Sequence, residues 1–378
     1  MNAEPRPDMH PGQRSGPKLR LIHLVESAGA TDRLWGKENV IVSLMHAQRA
    51  SGLVDPELVT FTPGLLDDTM RAAGFRVRSL GTAHRPVPLG AIGNLRVILA
   101  DGPPAVLHSH DYKANIVARV VRATGAPLRR LVATCHGWVD HSPKLETFYT
   151  LDRFTAFCSD IVTVTDPAML ALFPPLHPRM VFVQNAIAAQ PALSAAQRAE
   201  ARAHFGFPLD ATVIGSLGRL TKNKGILDIL EAARRTQDAG ILWAIAGSGP
   251  VADEVTACGL SNVRFVGYQA DSTRYLAAMD VYLQASYFEG LSLSLLEALR
   301  AGLPTISTKA GATEFAIRDA REALLVDAGD IDAIVNAALQ LRGDASLRAS
   351  LGSAARVRFD EAFAIERQHD AFLRLYCA

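Results

Sequence analysis

Short apolar runs rich in β-branched residues alternate with longer stretches of helical spacing along almost the whole chain. That alternation predicts parallel sheets flanked by helices. The first series of runs is LRLIHLV, ELVTF, FRVRSL, AVLHSH, RLVATCH, DIVTVT and MVFVQN. A second series follows: TVIGSLG, LWAIAG, NVRFVG, DVYLQAS, PTISTK and ALLV. Between them the Ala/Pro/Gln-rich AIAAQPALSAAQ marks a boundary near Ala188 to Ala195. The pattern therefore predicts an α/β protein of two Rossmann-like, doubly wound domains, residues 18–190 and 191–360. Such sheets bind ligands at the carboxyl ends of their strands, so the cleft between the domains is the expected active site.

Composition narrows this picture without changing it. The chain has 378 residues, 49% hydrophobic and 20% charged, enough for two cores in a globular protein. Its longest apolar runs are strand-length, far below the roughly 20 residues that span a bilayer. Residues 1–17, polar and rich in Pro and Arg, lack the apolar core of a secretory signal and are expected to be disordered. Cys135, Cys158, Cys258 and Cys377 are scattered, which argues against a disulfide framework or structural zinc and fits a cytoplasmic setting. The net charge of +1 conceals a +4 first half, to Gln190, and a −3 second half. Surface scatter explains that difference, as would a basic half facing the anionic inner face of a membrane. No nucleic-acid partner is expected.

Several motifs carry candidate chemistry. GSLGRLTKNKG joins a strand to the helical ILDILEAARR, placing Arg219, Lys222 and Lys224 on a loop suited to a diphosphate or simply to solvent. AGSGP, residues 246–250, lacks the third glycine of a dinucleotide fingerprint and reads as a packing turn. In FEGLSLSLLEALRAGLP, Glu289 precedes a helix and Glu297 lies inside it, about 9 Å along the axis from Leu291. First-turn amides of Leu291, Ser292 and Leu293 would make an anion site between the two carboxylates. His108 and His110 share one face of a strand. A metal there is the weaker reading, because no third ligand is seen nearby in sequence. His136 ends the next strand.

Taken together, SYFEGLSLSLLEALRAGLP, GRLTKNKG, VRFVGYQADSTRYLAAMDVYL and AGATEF resemble the nucleotide-sugar half of retaining GT-B glycosyltransferases of family 4. The E-x7-E pattern falls at Glu289 and Glu297. The resemblance implies that Glu289 contacts the transferred sugar, Glu297 the ribose, and Arg219 with Lys224 the diphosphate. Backbone at Gly267 and Tyr268 would meet the base, and His136, ahead of His110, the sugar. QNAI, with Asn185, is similar to the family's PNGI turn, Ala186 replacing glycine. Of the family's two GG loops, the first stands here as Gly36 with Lys37 and the second as Gly311 with Ala312. Residues 361–378 resemble the helix that crosses back to the first domain.

The resemblance implies a retaining transferase using a nucleotide diphosphate sugar, most naturally UDP-linked, with a glycan or polyprenyl-linked glycan as acceptor. The single D-x-D, Asp330 to Asp332, reads as a helix cap, so no metal requirement is expected. Competing readings are a glycoside hydrolase using the two glutamates, a nucleotide-sugar 2-epimerase on the same fold, and a silent nucleotide-sugar-binding subunit. An anion site between the carboxylates weighs against the hydrolase.

Overall fold

The computed structural model describes residues 17–27, 33–34, 36–82, 89–137, 143–174 and 179–378. Residues 1–16 of the tail, Trp35 and Trp138 lie outside these.

Every apolar run named above forms a strand. The first seven are β1 Leu19–Val25, β2 Val54–Thr60, β3 Arg76–Ser79, β4 Ala105–His110, β5 Leu128–Cys135, β6 Ile161–Val164 and β7 Met180–Phe182. They pair in parallel in the order β3-β2-β1-β4-β5-β6-β7. The second sheet holds β8 Thr212–Arg219, β9 Ile241–Ser248, β10 Val263–Phe265, β11 Val281–Gln284, β12 Thr305–Thr308 and β13 Ala323–Val326, in the order β10-β9-β8-β11-β12-β13. Helices cover both faces of a parallel sheet, and β4 accordingly has no residue open to solvent. Each sheet reverses its winding once, between β1 and β4 and between β8 and β11. These are the places where doubly wound sheets open a crevice.

Six helices position the site: α1 Gly36–Ala50, α2 Asp111–Ala123, α3 Ile226–Arg235, α4 Leu293–Arg300, α5 Ala345–Ala362 and α6 Ile365–Cys377. Helix α5 packs Leu351, Ala355 and Phe359 into the second domain. Helix α6 returns to the first, where Ile365, Phe372, Leu375 and Tyr376 join a core with Leu21, Leu44, Val106 and Val132. The return is stitched by main chain: Ile187 N–H donates to Phe363 O at 3.1 Å and Ile365 N–H to Ile187 O at 3.0 Å. Among the described residues, no helix is long and apolar enough to cross a membrane.

The AGSGP turn packs main chain on main chain. Leu220 N–H donates to Ser248 O at 2.9 Å and Val251 N–H to Leu220 O at 3.2 Å, joining it to the loop that follows β8.

Candidate active site

In the second domain, β8 and β11 deliver the end of one strand and the start of one loop to the same crevice. Arg219, the last residue of β8, lines it together with Lys224, Ser286, Glu289 and Ser294. A short turn at Lys222–Lys224 ends at Gly225, whose positive φ of 66° starts α3. A side chain there would meet Ala285 O at 2.0 Å, so glycine alone lets the Lys224 loop lie against the end of β11. Lys224 Nζ donates to Glu289 Oε1, and Ser286 Oγ donates to the same oxygen at 2.8 Å. Only 8% of Glu289 is exposed, so its charge is held by these two donors. Gly311 closes in from behind at φ 55°, where a Cβ would stand 1.7 Å from Glu289 O. The AGATEF loop thereby fixes the backbone that carries Glu289.

Helix α4 begins later than its apolar spacing predicts. Ser292 is its cap, accepting from Leu295 N–H at 3.4 Å, and Leu293 is its first residue. Leu291 thus lies outside the first turn. Its side chain is buried in the core, and its carbonyl accepts from Asn185 Nδ2 at 3.5 Å. The amides at the helix start belong to Leu293, Ser294 and Leu295. Apolar spacing alone places Leu291 in the helix; the cap chemistry of Ser292 decides the start.

The two glutamates occupy different recesses. Glu297 accepts from Ser272 Oγ at 3.0 Å and lines a small cleft with Gln190, Thr273 and Arg300. Burial pushes its pKa up, against the pull of Arg300 and Ser272. Tyr282 lines the Glu289 crevice: its hydroxyl donates to Ser294 Oγ at 2.9 Å, and burial, aided by both Glu289 and Glu297, raises its pKa. The Arg219–Lys224–Glu289 crevice and the cleft of Glu297 are thus separate recesses, and Arg219 and Lys224 line the first of them. Gly267 O accepts from Gly247 N–H at 2.8 Å, and Tyr268, half exposed, carries the Arg33 guanidinium 4.5 Å above its ring. Arg33 also donates to Ser248 Oγ, so one arginine of the first domain grips two loops of the second.

The first domain faces this site with α1. Gly36 opens that helix close to the start of α4: a Cβ on it would lie 3.5 Å from Leu293 Cδ1. Lys37 pairs with Asp111 at 2.7 Å, and Asp111 accepts from His136 N–H at 3.3 Å. Burial opposes the charge of Asp111, yet Lys37 and His136 hold its pKa below the usual carboxylate range. Asp111 has a φ of 70°, a left-handed conformation uncommon outside glycine. Burial lowers the His136 pKa to about 4, so its imidazole is neutral near pH 7.

His110 does not face the cleft. It is 1% exposed, with Nδ1 3.0 Å from His136 Nε2 and Nε2 2.9 Å from His23 Nδ1. It is a partner of His136 rather than a sugar contact. The third histidine that sequence spacing failed to supply is His23 on β1, paired in register with His108 on β4. His23, His108 and His110 bring their ring nitrogens within 4.8 Å of one another, all buried.

Two family profiles match the chain, one on each domain. "Glycosyl transferase 4-like domain" covers residues 36–186 and "Glycosyl transferases group 1" covers residues 211–344. The lipopolysaccharide core biosynthesis glycosyltransferase LpsE of Rhizobium meliloti strain 1021 is 34% identical over 46% of this chain and 52% of its own. The chain thus spans about half the length of LpsE, and of LpsD from the same organism. A longer match, 23% identical over 72% of this chain and 74% of its partner, is to an Escherichia coli UDP-Gal:α-D-GlcNAc-diphosphoundecaprenol α-1,3-galactosyltransferase. In three dimensions, Anabaena HepE in complex with UDP and glucose superposes with a TM-score of 0.78 at 17% identity, covering 94% of this chain and 99% of HepE. That likeness establishes the GT-B fold. With a matching profile on each domain, together spanning about three quarters of the residues, the chain belongs to the group 1 glycosyltransferases of family 4.

Proposed function

We propose that this protein is a retaining, metal-independent glycosyltransferase that moves a sugar from a UDP-sugar to a hydroxyl of a glycan or lipid-linked glycan. The observation that carries the reading is the convergence of Arg219, Lys224 and Glu289 in one crevice beside the start of α4. Charge develops on the leaving diphosphate as the glycosidic bond breaks. Arg219 and Lys224, with the amides that open α4, would stabilise it where it forms. Glu289, fixed by Lys224 and Ser286, would accept from sugar hydroxyls and orient the ring. On the retaining reading, the leaving phosphate takes the acceptor proton on the face it departs from.

A UDP donor is supported by the UDP in the HepE complex and by the UDP-Gal in the name of the E. coli relative. The diphosphoundecaprenol of that name supports a lipid-linked acceptor and contact with a membrane surface. Cations in the crevice supply the positive charge a metal would otherwise bring. The potential metal-ligand cluster found among the described residues is the buried histidine group in the first domain, not this crevice.

Thermal shifts with UDP, GDP, ADP and their sugars test the donor, because a ligand that binds only the folded state raises its apparent stability. UDP-sugars should raise Tm most. A product anomer inverted relative to the donor would refute retention.

A further inference from the structure

His136 ends a line of buried hydrogen bonds that begins in the crossover helix. His136 Nε2 lies 3.0 Å from His110 Nδ1, His110 Nε2 lies 2.9 Å from His23 Nδ1, and His23 Nε2 lies 2.8 Å from Gln48 Oε1. Gln48 Nε2 in turn donates to the Tyr376 phenol oxygen at 3.1 Å. His23, His110 and Gln48 are at most 1% exposed, so water does not compete for these bonds.

The chemistry of the groups gives the line one direction. An amide nitrogen only donates and an amide oxygen only accepts, while a neutral imidazole has one nitrogen of each kind. Gln48 Nε2 is committed to Tyr376, so Gln48 Oε1 must accept from His23 Nε2–H. His23 Nδ1 is then bare and accepts from His110 Nε2–H. His110 Nδ1 is bare in its turn and accepts from His136 Nε2–H. We infer that Gln48, His23 and His110 are positioning residues that lock His136 as its Nε2–H tautomer, leaving Nδ1 as a hydrogen-bond acceptor for a substrate hydroxyl. Among the described residues no protein group bonds to that Nδ1, and His136 is partly exposed.

An imidazolium at His23 or His110 would set two donors against each other. Burial opposes this throughout, lowering the pKa of His23 to about 4 and that of His110 well below the usual histidine value. A metal held by His23, His108 and His110 fits less well. Ligands at roughly 2.0–2.1 Å from a tetrahedral zinc stand about 3.3 Å apart, whereas His23 Nδ1 and His110 Nε2 are at hydrogen-bond distance. Both nitrogens of His108 are also engaged, with Tyr376 at 2.8 Å and Thr134 at 2.6 Å.

The inference rests on the proposed transfer and on the sugar contact that the family resemblance implies for His136, but its first test does not require activity. In the ¹⁵N-histidine-labelled full chain at pH 7.5, long-range ¹H–¹⁵N spectra should show His136 protonated at Nε2 and bare at Nδ1. The reverse tautomer, or one equivalent of zinc bound to the purified protein, would overturn the assignment. Gln48→Leu removes the fixed acceptor and should return a mixture of His136 tautomers, with kcat reduced at least about tenfold and KM for the nucleotide sugar unchanged. Gln48→Glu keeps an acceptor for His23, and should restore both the Nε2–H signal and turnover. A Gln48→Leu protein with wild-type tautomer and kcat, or a loss confined to KM, would refute the relay. Should Gln48→Leu not fold, the wild-type spectrum and Gln48→Glu still decide. Absence of transfer from every nucleotide sugar would sink the functional reading alone, while the spectra continue to judge the tautomer.

Discussion

Both sheets reverse their winding once, and the two reversal points carry opposite chemistry. Between β1 and β4, His23, His108 and His110 are dry and neutral, His23 bonded to His110 and His108 to Tyr376 and Thr134. Between β8 and β11, Arg219, Lys224 and Glu289 are charged and open to a crevice. The fold dictates where a ligand can sit, and the side chains dictate which part of it each half can hold. A nucleotide sugar has one neutral hydroxylated end and one anionic end. On the proposed reading His136, neutral and backed by the dry histidines, is the wall for the hydroxylated end, and the Arg219–Lys224 crevice is the wall for the anionic end.

The charged wall offers the largest test. Lys224→Ala removes a diphosphate cation and leaves Glu289 with Ser286 as its remaining donor. Transfer should fall by about 10²–10³-fold in kcat while circular dichroism still reports a folded chain; wild-type turnover would remove the diphosphate from this crevice. On the neutral wall, His136→Ala should cost about 10²-fold in kcat and leave UDP affinity unchanged by calorimetry. A pure affinity loss would move His136 to the anionic end.

Acid should separate the walls through stability. The pKa of His23 is about 4 when folded, below the usual 6.5. The unfolded chain therefore takes up the proton first as pH falls. Stability contributed by a neutral His23 is complete above about pH 6.5 and declines toward pH 4, by about 3 kcal/mol there. Denaturant titrations should show that slope, and His23→Gln should flatten it. Gly311→Ala should cost more than the roughly 1–2 kcal/mol of a left-handed φ alone, because Glu289 O must also move, and weaken sugar binding, seen as a lower Tm and a raised KM. The smallest effect is expected from EDTA, which should leave transfer rates unchanged; a strict Mg²⁺ or Mn²⁺ requirement would end the metal-free proposal.

Much of this was legible in the chain. Strands announced themselves because buried parallel strands are continuous apolar runs, and Arg219, Lys224 and Glu289 because loops at strand ends gather polar residues. What escaped was whatever depends on contact between distant segments. His23 lies 85 residues from His108, within an otherwise apolar strand, and only the β1–β4 pairing brings them together. One signal was available: a polar residue in the middle of a buried run needs a partner. Lys37 and Asp111 join across a similar gap. Tyr282 was hidden by its role as an apolar strand residue, although its hydroxyl lines the Glu289 crevice and bonds Ser294.

The crossover helix also has a consequence for how the chain is made. Tyr376 and Phe372 complete a core whose other members include Leu21 and Leu44. A ribosome therefore finishes the entire second domain before it delivers the residues that seal the first. The early domain must wait as an unsealed intermediate with its β1 and α1 apolar surface uncovered, a stage at which chaperone capture and aggregation compete. Synthesis rate and chaperone supply thus bear on the yield of the first domain more than on that of the second.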